Sequence, residues 1–280
     1  MAMKNILKIM LMMITIFTIA GSAVYAAEIP VSDQDQLITS NDWTEISNLQ
    51  DEMKKEEPDA TIDYDKALKV YVDCNLIKLQ TADTKKLTSA LESANYVWVI
   101  PFKMEKTYGM FTVAKGLPLR EEAKSVLTKA EQEEVKNHAG KWMITEIAEH
   151  TVEPYYDILL EKREALSDCT RVVLVGSQPG MRQPVALGMD DETARIWISL
   201  GYQYPVMEKI PETQNVESGV YSFDSVAEIS DTYIEDSEVS TGVGVQSRSS
   251  MKYVAGIGII VIGSILILSV LKKKKLEDYE

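Results

Sequence analysis

Apolar residues recur with a helical period near the start of the polar part of the chain. Between residues 42 and 57 they are spaced by three, three and four positions, which is typical of one face of a helix. These residues are Trp43, Ile46, Leu49 and Met53. Asn41 or Asp42 is expected to cap this helix and Pro58 to end it.

The period changes to two in the next segment. Between residues 66 and 79 apolar side chains alternate with polar or mixed ones, which is typical of a strand with one buried face. The alternating residues are Leu68, Val70, Val72, Cys74 and Leu76. The pattern therefore predicts that Cys74 points into a core.

Strand and helix signals continue up to about residue 200. Asp83 precedes a helical pattern over residues 87–94, and residues 96–100 and 110–114 predict two strands joined around residues 107–109. Pro101 cannot donate a backbone hydrogen bond, so the first of these strands is expected to lie at an edge or to contain a bulge.

The second half of the region is punctuated by caps and turns. Thr128 and Glu131 match a capping box, which predicts a helix over residues 129–139 that Gly140 ends. Another helix is expected from Pro154 through Leu166. Strands are predicted over residues 141–148, 171–177, 183–189 and 194–200.

These signals predict an α+β domain whose antiparallel sheet or sheets are covered by helices, with a core over about residues 42–205. Residues 66–115 and residues 141–200 both follow the order strand, helix, strand, strand. This similarity has two explanations, two tandem β-α-β-β units or chance similarity of pattern, and the residue identities favour neither.

The first 26 residues have the order of a secretory signal peptide. Lys4 and Lys8 precede an uncharged stretch over residues 9–20, and small residues follow. Cleavage is expected after Ala26, which would leave residues 27–210 as the extracellular domain; an uncleaved signal anchor is the alternative.

A second apolar segment, from Tyr253 to Leu271, contains no charged residue. Its length suits one transmembrane helix, and Lys272 to Lys275 follow it directly, which places residues 272–280 in the cytoplasm. The protein is therefore expected in the cell membrane as a single-pass protein with its N-terminal domain outside. Residues 211–252, rich in Ser, Thr and acidic residues, are predicted to form a flexible stalk.

The net charge of the whole chain is −14. The part between the two apolar segments holds 23 basic and 40 acidic residues. Because nucleic acid is bound through clustered Lys and Arg, such a surface argues against a nucleic-acid partner.

Both cysteines, Cys74 and Cys169, belong to the part expected outside the cell. Export permits a disulfide between them, and the alternative is a pair of buried thiols.

No recognised catalytic, cofactor or metal motif stands out in the sequence. His138 and His150 are expected at the surface, and residues 176–180 are interpreted as a hairpin turn because a phosphate loop would need a lysine. Residues 190–192 offer oxygen ligands for calcium but lack the spacing of an EF-hand, so a solvated turn is the simpler interpretation. Three aromatic residues have two interpretations, a sugar- or peptide-binding face or part of the core: Trp142, Trp197 and Tyr202.

In layout, with a signal peptide, a folded domain, a Ser/Thr-rich stalk, an apolar segment and a basic tail, the chain resembles Gram-positive bacterial surface proteins. The Leu-Pro-x-Thr-Gly sorting signal is not present, and only residues 240–242 echo it. We therefore expect the span to remain as the anchor of an interaction or ligand-binding module for an extracellular protein, peptide or glycan, with no cofactor. The alternatives are a cell-envelope hydrolase with a carboxylate site and an accessory subunit of a membrane transport or signalling complex.

Overall fold

The computed structural model describes residues 29–234 except 151, 177, 182, 203 and 212–214. The predicted signal peptide, the predicted transmembrane segment, the cytoplasmic tail and residues 235–252 of the predicted stalk lie outside the described residues. Among the helices that are described, none combines the length and the apolar character that crossing a membrane requires.

Seven α-helices are described, and most of them are short. Their bounds are α1 Trp43–Ile46, α2 Gln50–Glu56, α3 Thr84–Glu92, α4 Glu121–Lys124, α5 Lys129–His138, α6 Tyr155–Glu161 and α7 Phe223–Ile234. One 3-10 turn, Ser47–Leu49, joins α1 to α2 into the helical segment predicted from the apolar spacing. Asp83 caps α3, and Thr128 and Glu131 form the predicted capping box of α5.

Ten strands form one sheet. Their bounds are β1 Thr61–Ile62, β2 Leu68–Val72, β3 Asn95–Lys103, β4 Tyr108–Lys115, β5 Trp142–His150, β6 Arg171–Val175, β7 Val185–Met189, β8 Ala194–Ile198, β9 Asn215–Glu217 and β10 Val220–Ser222. The main order across the sheet is β5-β4-β3-β2-β6-β7-β8-β10-β9, and β1 pairs with β3.

All of these pairings are antiparallel except the one between β2 and β6. The sheet thus consists of two antiparallel runs that meet where β2 lies parallel to β6. The predicted α+β class with a mostly antiparallel sheet is confirmed.

The arrangement of the strands corrects the idea of two equivalent β-α-β-β units. In the first stretch β2 pairs with β3, the next strand along the chain. In the second stretch β5 pairs with β4 and lies at the far edge of the sheet from β7 and β8. The two stretches share an order of elements along the chain but differ in how their strands pair.

Pro101 does not mark an edge or a bulge, so that prediction is wrong. β3 is an interior strand, and its pairing with β4 runs through Pro101 without a shift. On the other side of β3, pairing with β2 ends at Val99 and pairing with β1 begins at Phe102. Pro101 is tolerated because it lies at the point where the neighbouring strand changes.

Successive residues of a strand point to opposite faces of the sheet, and apolar clusters bury both faces. On the first face, one apolar cluster lies beneath α3 and α7 and another beneath α1 and α2. On the second face, a third cluster lies beneath α6. β6 shows the division: Val173 and Val175 belong to the first face, and Val172 and Leu174 to the second.

The predicted stalk begins too early. Residues 215–217 and 220–222 form strands, and α7 follows them directly. Val220, Phe223 and Val226 are buried, with exposed fractions of 0%, 4% and 0%. These side chains are spaced three residues apart and form one buried side of the segment, although its composition is acidic. The folded domain therefore extends beyond residue 210 to α7.

The predicted pairing of Cys74 with Cys169 is also corrected. Both thiols are free and buried, and they belong to clusters on opposite faces of the sheet. The predicted strand, with its alternating apolar residues, is longer than the strand observed. β2 ends at Val72, and Asp73 adopts a left-handed conformation with φ of 57°. This turn directs Cys74 to the first face, while Leu68 and Val70 lie on the second.

Cys169 packs closely against the sheet at a glycine. A β-carbon at Gly188 would lie 2.8 Å from the Cys169 Sγ, so only glycine fits there without a shift. Burial raises the pKa of each thiol to about 11, which leaves both of them protonated and unreactive at neutral pH.

Candidate functional site

The three aromatic residues considered for a binding face do not come together. Trp142 lies in the cluster beneath α1 and α2, and Trp197 lies in the cluster beneath α3 and α7. Tyr202 is half-buried and packs against clusters on both faces. The two tryptophans therefore belong to separate parts of the core.

In the acidic turn after β7, the Asp190 carboxylate is bound by neighbouring groups of the chain. Asp190 accepts hydrogen bonds from the backbone of Glu192 at 2.8 Å and of Thr193 at 2.6 Å, and it pairs with Arg195. These backbone hydrogen bonds lower the pKa of Asp190. Across the described residues, no group of three His, Cys, Asp or Glu side chains is placed to hold a metal ion.

The turn after β6 is a hairpin turn, as predicted. The Met181 N–H donates to the Gln178 carbonyl at 2.9 Å, and Gly180 has φ of 70°, as the third position of a type II turn requires. The buried Gln178 side chain donates to the Cys74 carbonyl and accepts from the Leu76 N–H at 3.0 Å. It therefore holds the loop after β2 in place.

The two histidines end separate elements. His138 is the last residue of α5, where it is half-buried and its Nδ1 has no hydrogen-bond partner among the described residues. His150 is the last residue of β5.

Four ionisable residues, of which Asp35 is buried and the others are largely but not completely buried, form a polar cluster on the first face that we call the charged seam: Asp35, Asp42, Lys69 and Arg171. Asp35 is 2% exposed and accepts from Ser32 Oγ at 2.6 Å, Tyr71 OH at 2.7 Å and Arg171 at 3.0 Å. Each of these donors forms a hydrogen bond with a carboxylate lone pair that burial would otherwise leave unsatisfied.

The Lys69 ammonium lies in the middle of the seam. Its Nζ is 3.7 Å from Asp35, and it faces the rings of Tyr96 at 4.6 Å, Trp98 at 5.2 Å and Tyr71 at 5.8 Å. Burial lowers the pKa of Lys69, although the Asp35 carboxylate opposes that shift. The rings and the carboxylate together replace the water that the ammonium loses.

Asp42 stands at the N-cap position of α1, one of the two positions that the sequence indicated, but its side chain forms no capping hydrogen bond. Instead its carboxylate accepts from Tyr96 OH at 2.8 Å and from Trp98 Nε1 at 3.0 Å, with Lys115 at 3.7 Å. Asp35 and Asp42 thus fasten residues 33–42 to β2 and β3. Among the described residues, Arg171 Nε is buried without a hydrogen-bond partner, but each charged group of the seam faces an opposite charge from this chain. We therefore interpret the seam as a structural feature of the fold.

A different carboxyl lies on the second face. Glu146 projects from β5 beside Thr112, and burial raises its pKa. The buried Tyr155 hydroxyl lies 3.4 Å from that of Tyr202. Burial is the main cause that raises the pKa of both tyrosines, and the charge of Glu146 adds to it. A carboxyl that holds its proton above the usual range can act as a general acid.

A groove remains between the segment after β2 and α7, with a volume of about 260 Å³. We call it the acidic groove. It is lined by Ile77, Gln80, Thr81 and Ala82 on one side and by Phe223, Asp224, Ala227 and Glu228 on the other.

The groove has an apolar floor and an acidic rim. The Phe223 ring stacks on Trp197 at 5.7 Å with an interplanar angle of 14°, which fixes the ring against the core. Asp224 and Glu228 are exposed, and no Lys or Arg among the described residues forms a salt bridge with either of them. In the groove, apolar surface therefore lies next to carboxylates that form no salt bridge with a described residue.

Sequence reasoning missed this groove. Its two sides are far apart in the chain, and one side comes from a segment that composition assigned to a flexible stalk. The remaining signal was the spacing of Phe223, Val226 and Ala227, which fits one face of a helix.

No protein-family model, curated protein or solved structure matches this chain.

Proposed function

We propose that the protein is a single-pass membrane-anchored binding module that presents the acidic groove outside the cell to a protein, peptide or glycan ligand. The observation that carries this proposal is the groove itself, because its carboxylates lie beside an apolar floor and form no salt bridge with any described residue. Sites that bind ligands combine an apolar lining with a few placed polar groups.

The proposed topology follows from the sequence. Residues 1–26 would direct export, residues 253–271 would form the transmembrane helix, and Lys272 to Lys275 would hold the C-terminus in the cytoplasm. Residues 235–252, between the last described residue of α7 and the proposed transmembrane helix, would link the groove-bearing domain to the membrane.

Protease treatment of intact bacterial cells that produce the full chain tests this topology. Because the domain would face outward, we expect the protease to remove it and leave a small membrane-bound fragment. Permeabilised cells provide the reference for complete digestion. Protection of the whole domain in intact cells, with digestion only after permeabilisation, would contradict the proposal.

A second candidate function, a cell-envelope hydrolase, is favoured by Glu146 alone. Burial raises its pKa, as a general acid needs, and Glu146 is close enough to Tyr155 and Tyr202 to act on them electrostatically. Release of reducing sugar from purified cell-wall glycan by the full chain, abolished in Glu146→Gln, would establish this activity. Equal release of reducing sugar by both proteins, or no release by either, would exclude a hydrolase activity that depends on Glu146.

A further inference from the structure

We propose that the acidic groove binds a lysine or arginine side chain of an extracellular basic peptide segment. In this arrangement the apolar stem would lie on Phe223 and Ala227, and the cationic end would lie between Asp224 and Glu228. This inference rests on the proposed function for access to such a ligand, and it names the ligand class.

The charge of the rim points to a cation. Asp224 and Glu228 are four residues apart on α7, so they lie on the same side of the helix about 6 Å apart along its axis. Like charges at this spacing repel each other. A cation placed between them would relieve that repulsion and gain two ion pairs.

The dimensions of the groove suit one long side chain. Its volume of about 260 Å³ lies below the roughly 300–1,000 Å³ of sites that enclose a drug-sized ligand. Lys and Arg carry apolar stems that cover apolar surface while the charged end stays near water. The buried Phe223 ring and the half-buried Ala227 provide such a surface next to the rim.

The backbone on the opposite side of the groove is strained. Gln80, which ends the 3-10 turn Ile77–Leu79, adopts φ of 47°, a left-handed conformation that is unfavourable for a residue other than glycine. Strained backbone is concentrated at ligand-binding sites, where the surrounding structure maintains it. Leu79, the neighbouring residue, remains 44% exposed and extends the apolar surface of this segment.

Charge complementarity favours an external ligand over the chain's own linker. Residues 235–252 hold three acidic residues and two basic ones, Arg248 and Lys252, and Lys252 directly precedes the proposed transmembrane segment. A basic peptide from another molecule would be attracted both by the rim and by the acidic domain as a whole. Occupation by Arg248 is therefore an outcome that the test must separate.

The test measures binding of a labelled peptide, acetyl-Gly-Leu-Lys-Leu-Gly-amide, to the full chain in zwitterionic detergent by fluorescence anisotropy. The matched probe carries norleucine in place of the lysine, which keeps the stem and removes the charge. We expect the lysine peptide to bind and the norleucine peptide to bind at least about fivefold more weakly, the upper range for exposed ion pairs.

Two double variants separate the groove from the general acidity of the protein. Asp224→Asn with Glu228→Gln should weaken binding of the lysine peptide by about fivefold or more. Asp51→Asn with Asp59→Asn removes the same charge at exposed positions in and just after α2, over the other half of the sheet, and should leave the affinity unchanged. Equal weakening by both double variants would overturn the proposal.

A third variant fills the groove and leaves its charges in place. Ala227→Phe should abolish binding of the lysine peptide while the circular dichroism of the protein stays the same. Retained binding in this variant would show that the peptide binds elsewhere and would overturn the proposal. Tighter binding of the peptide in Arg248→Ala would also overturn it, because it would identify the linker as the occupant of the groove. A negative result here leaves the protease test of topology unaffected, so the two proposals fail separately.

Discussion

The charged seam and the acidic groove use carboxylates in opposite ways. In the seam, Asp35 is almost completely buried and each of its oxygens meets donors from this chain. In the groove, Asp224 and Glu228 are exposed and lack a basic neighbour among the described residues. Both regions lie on the same face of the sheet, so the difference does not arise from the layer to which they belong.

The comparison indicates which acids maintain the fold and which remain available to a ligand. A buried carboxylate that loses its partners is costly, because its neighbours are then left with uncompensated charge. An exposed carboxylate contributes little to stability and can exchange water for a ligand cation. Substitutions in the two regions should therefore have very different effects.

The largest effect is expected for Asp35→Ala. This substitution leaves Lys69 and Arg171 buried without their counter-ion, and it should lower the free energy of unfolding by about 3–5 kcal/mol. Urea unfolding followed by tryptophan fluorescence measures it. The control, Asp59→Ala at an exposed site, should change stability by less than about 0.5 kcal/mol. A small effect at Asp35 would mean that the seam does not hold residues 33–42 in place.

Phe223→Ala should have the next largest effect. The side chain is 4% exposed and stacks on Trp197, so its loss should cost about 3 kcal/mol, the low end for buried phenylalanine because the groove borders it. Thermal unfolding measures the change, with Val216→Ala as the control, since Val216 is 57% exposed. Equal melting temperatures for the two variants would show that α7 does not belong to the folded domain.

Local signals in the sequence predicted much of the secondary structure. The spacing of Trp43, Ile46, Leu49 and Met53 predicted the helical segment, and Thr128 with Glu131 predicted the start of α5. These signals work because a helix cap or an apolar face involves residues only a few positions apart.

Features that join distant parts of the chain were not predicted. The parallel pairing of β2 with β6 brings residues near Val70 beside residues near Leu174, and no local pattern encodes it. The contacts of the Asp42 side chain were not predicted because its partners, Tyr96 and Trp98, come from β3. The groove depends in the same way on residues 77–82 meeting residues 223–228.

Glu146 is intermediate between the seam and the groove, and it provides a pH test. Burial raises its pKa above the usual 4.5, so the native state keeps a proton that the unfolded state releases. Its contribution to stability is therefore present below about pH 4.5 and is lost as the pH rises through the raised pKa.

Glu146→Gln should consequently stabilise the protein at pH 7 and have little effect at pH 4. Urea unfolding of both proteins at the two pH values measures this, and Glu92→Gln at an exposed site of α3 should change neither. An equal change at both pH values would show that folding does not shift the pKa of this carboxyl, and a destabilisation that is larger at pH 7 than at pH 4 would show that the carboxyl is stabilised in its ionised form.

The smallest effect on stability is expected in the groove. Asp224→Asn with Glu228→Gln should change the free energy of unfolding by less than about 0.5 kcal/mol, because both side chains are exposed and neither forms a salt bridge with a described residue. Urea unfolding beside the Asp35→Ala variant makes the comparison direct. A loss as large as that of Asp35→Ala would show that these carboxylates maintain the fold.

Carboxyl footprinting by mass spectrometry tests the distinction between the two regions most directly. The full chain is labelled with carbodiimide and glycine ethyl ester, with the lysine peptide present, with the norleucine peptide present, and with neither. We predict that Asp224 and Glu228 react readily, that only the lysine peptide protects them, and that Asp35 stays unlabelled in all three samples. Labelling of Asp35 as fast as that of Asp224, or labelling of the groove that the lysine peptide leaves unchanged, would contradict the account.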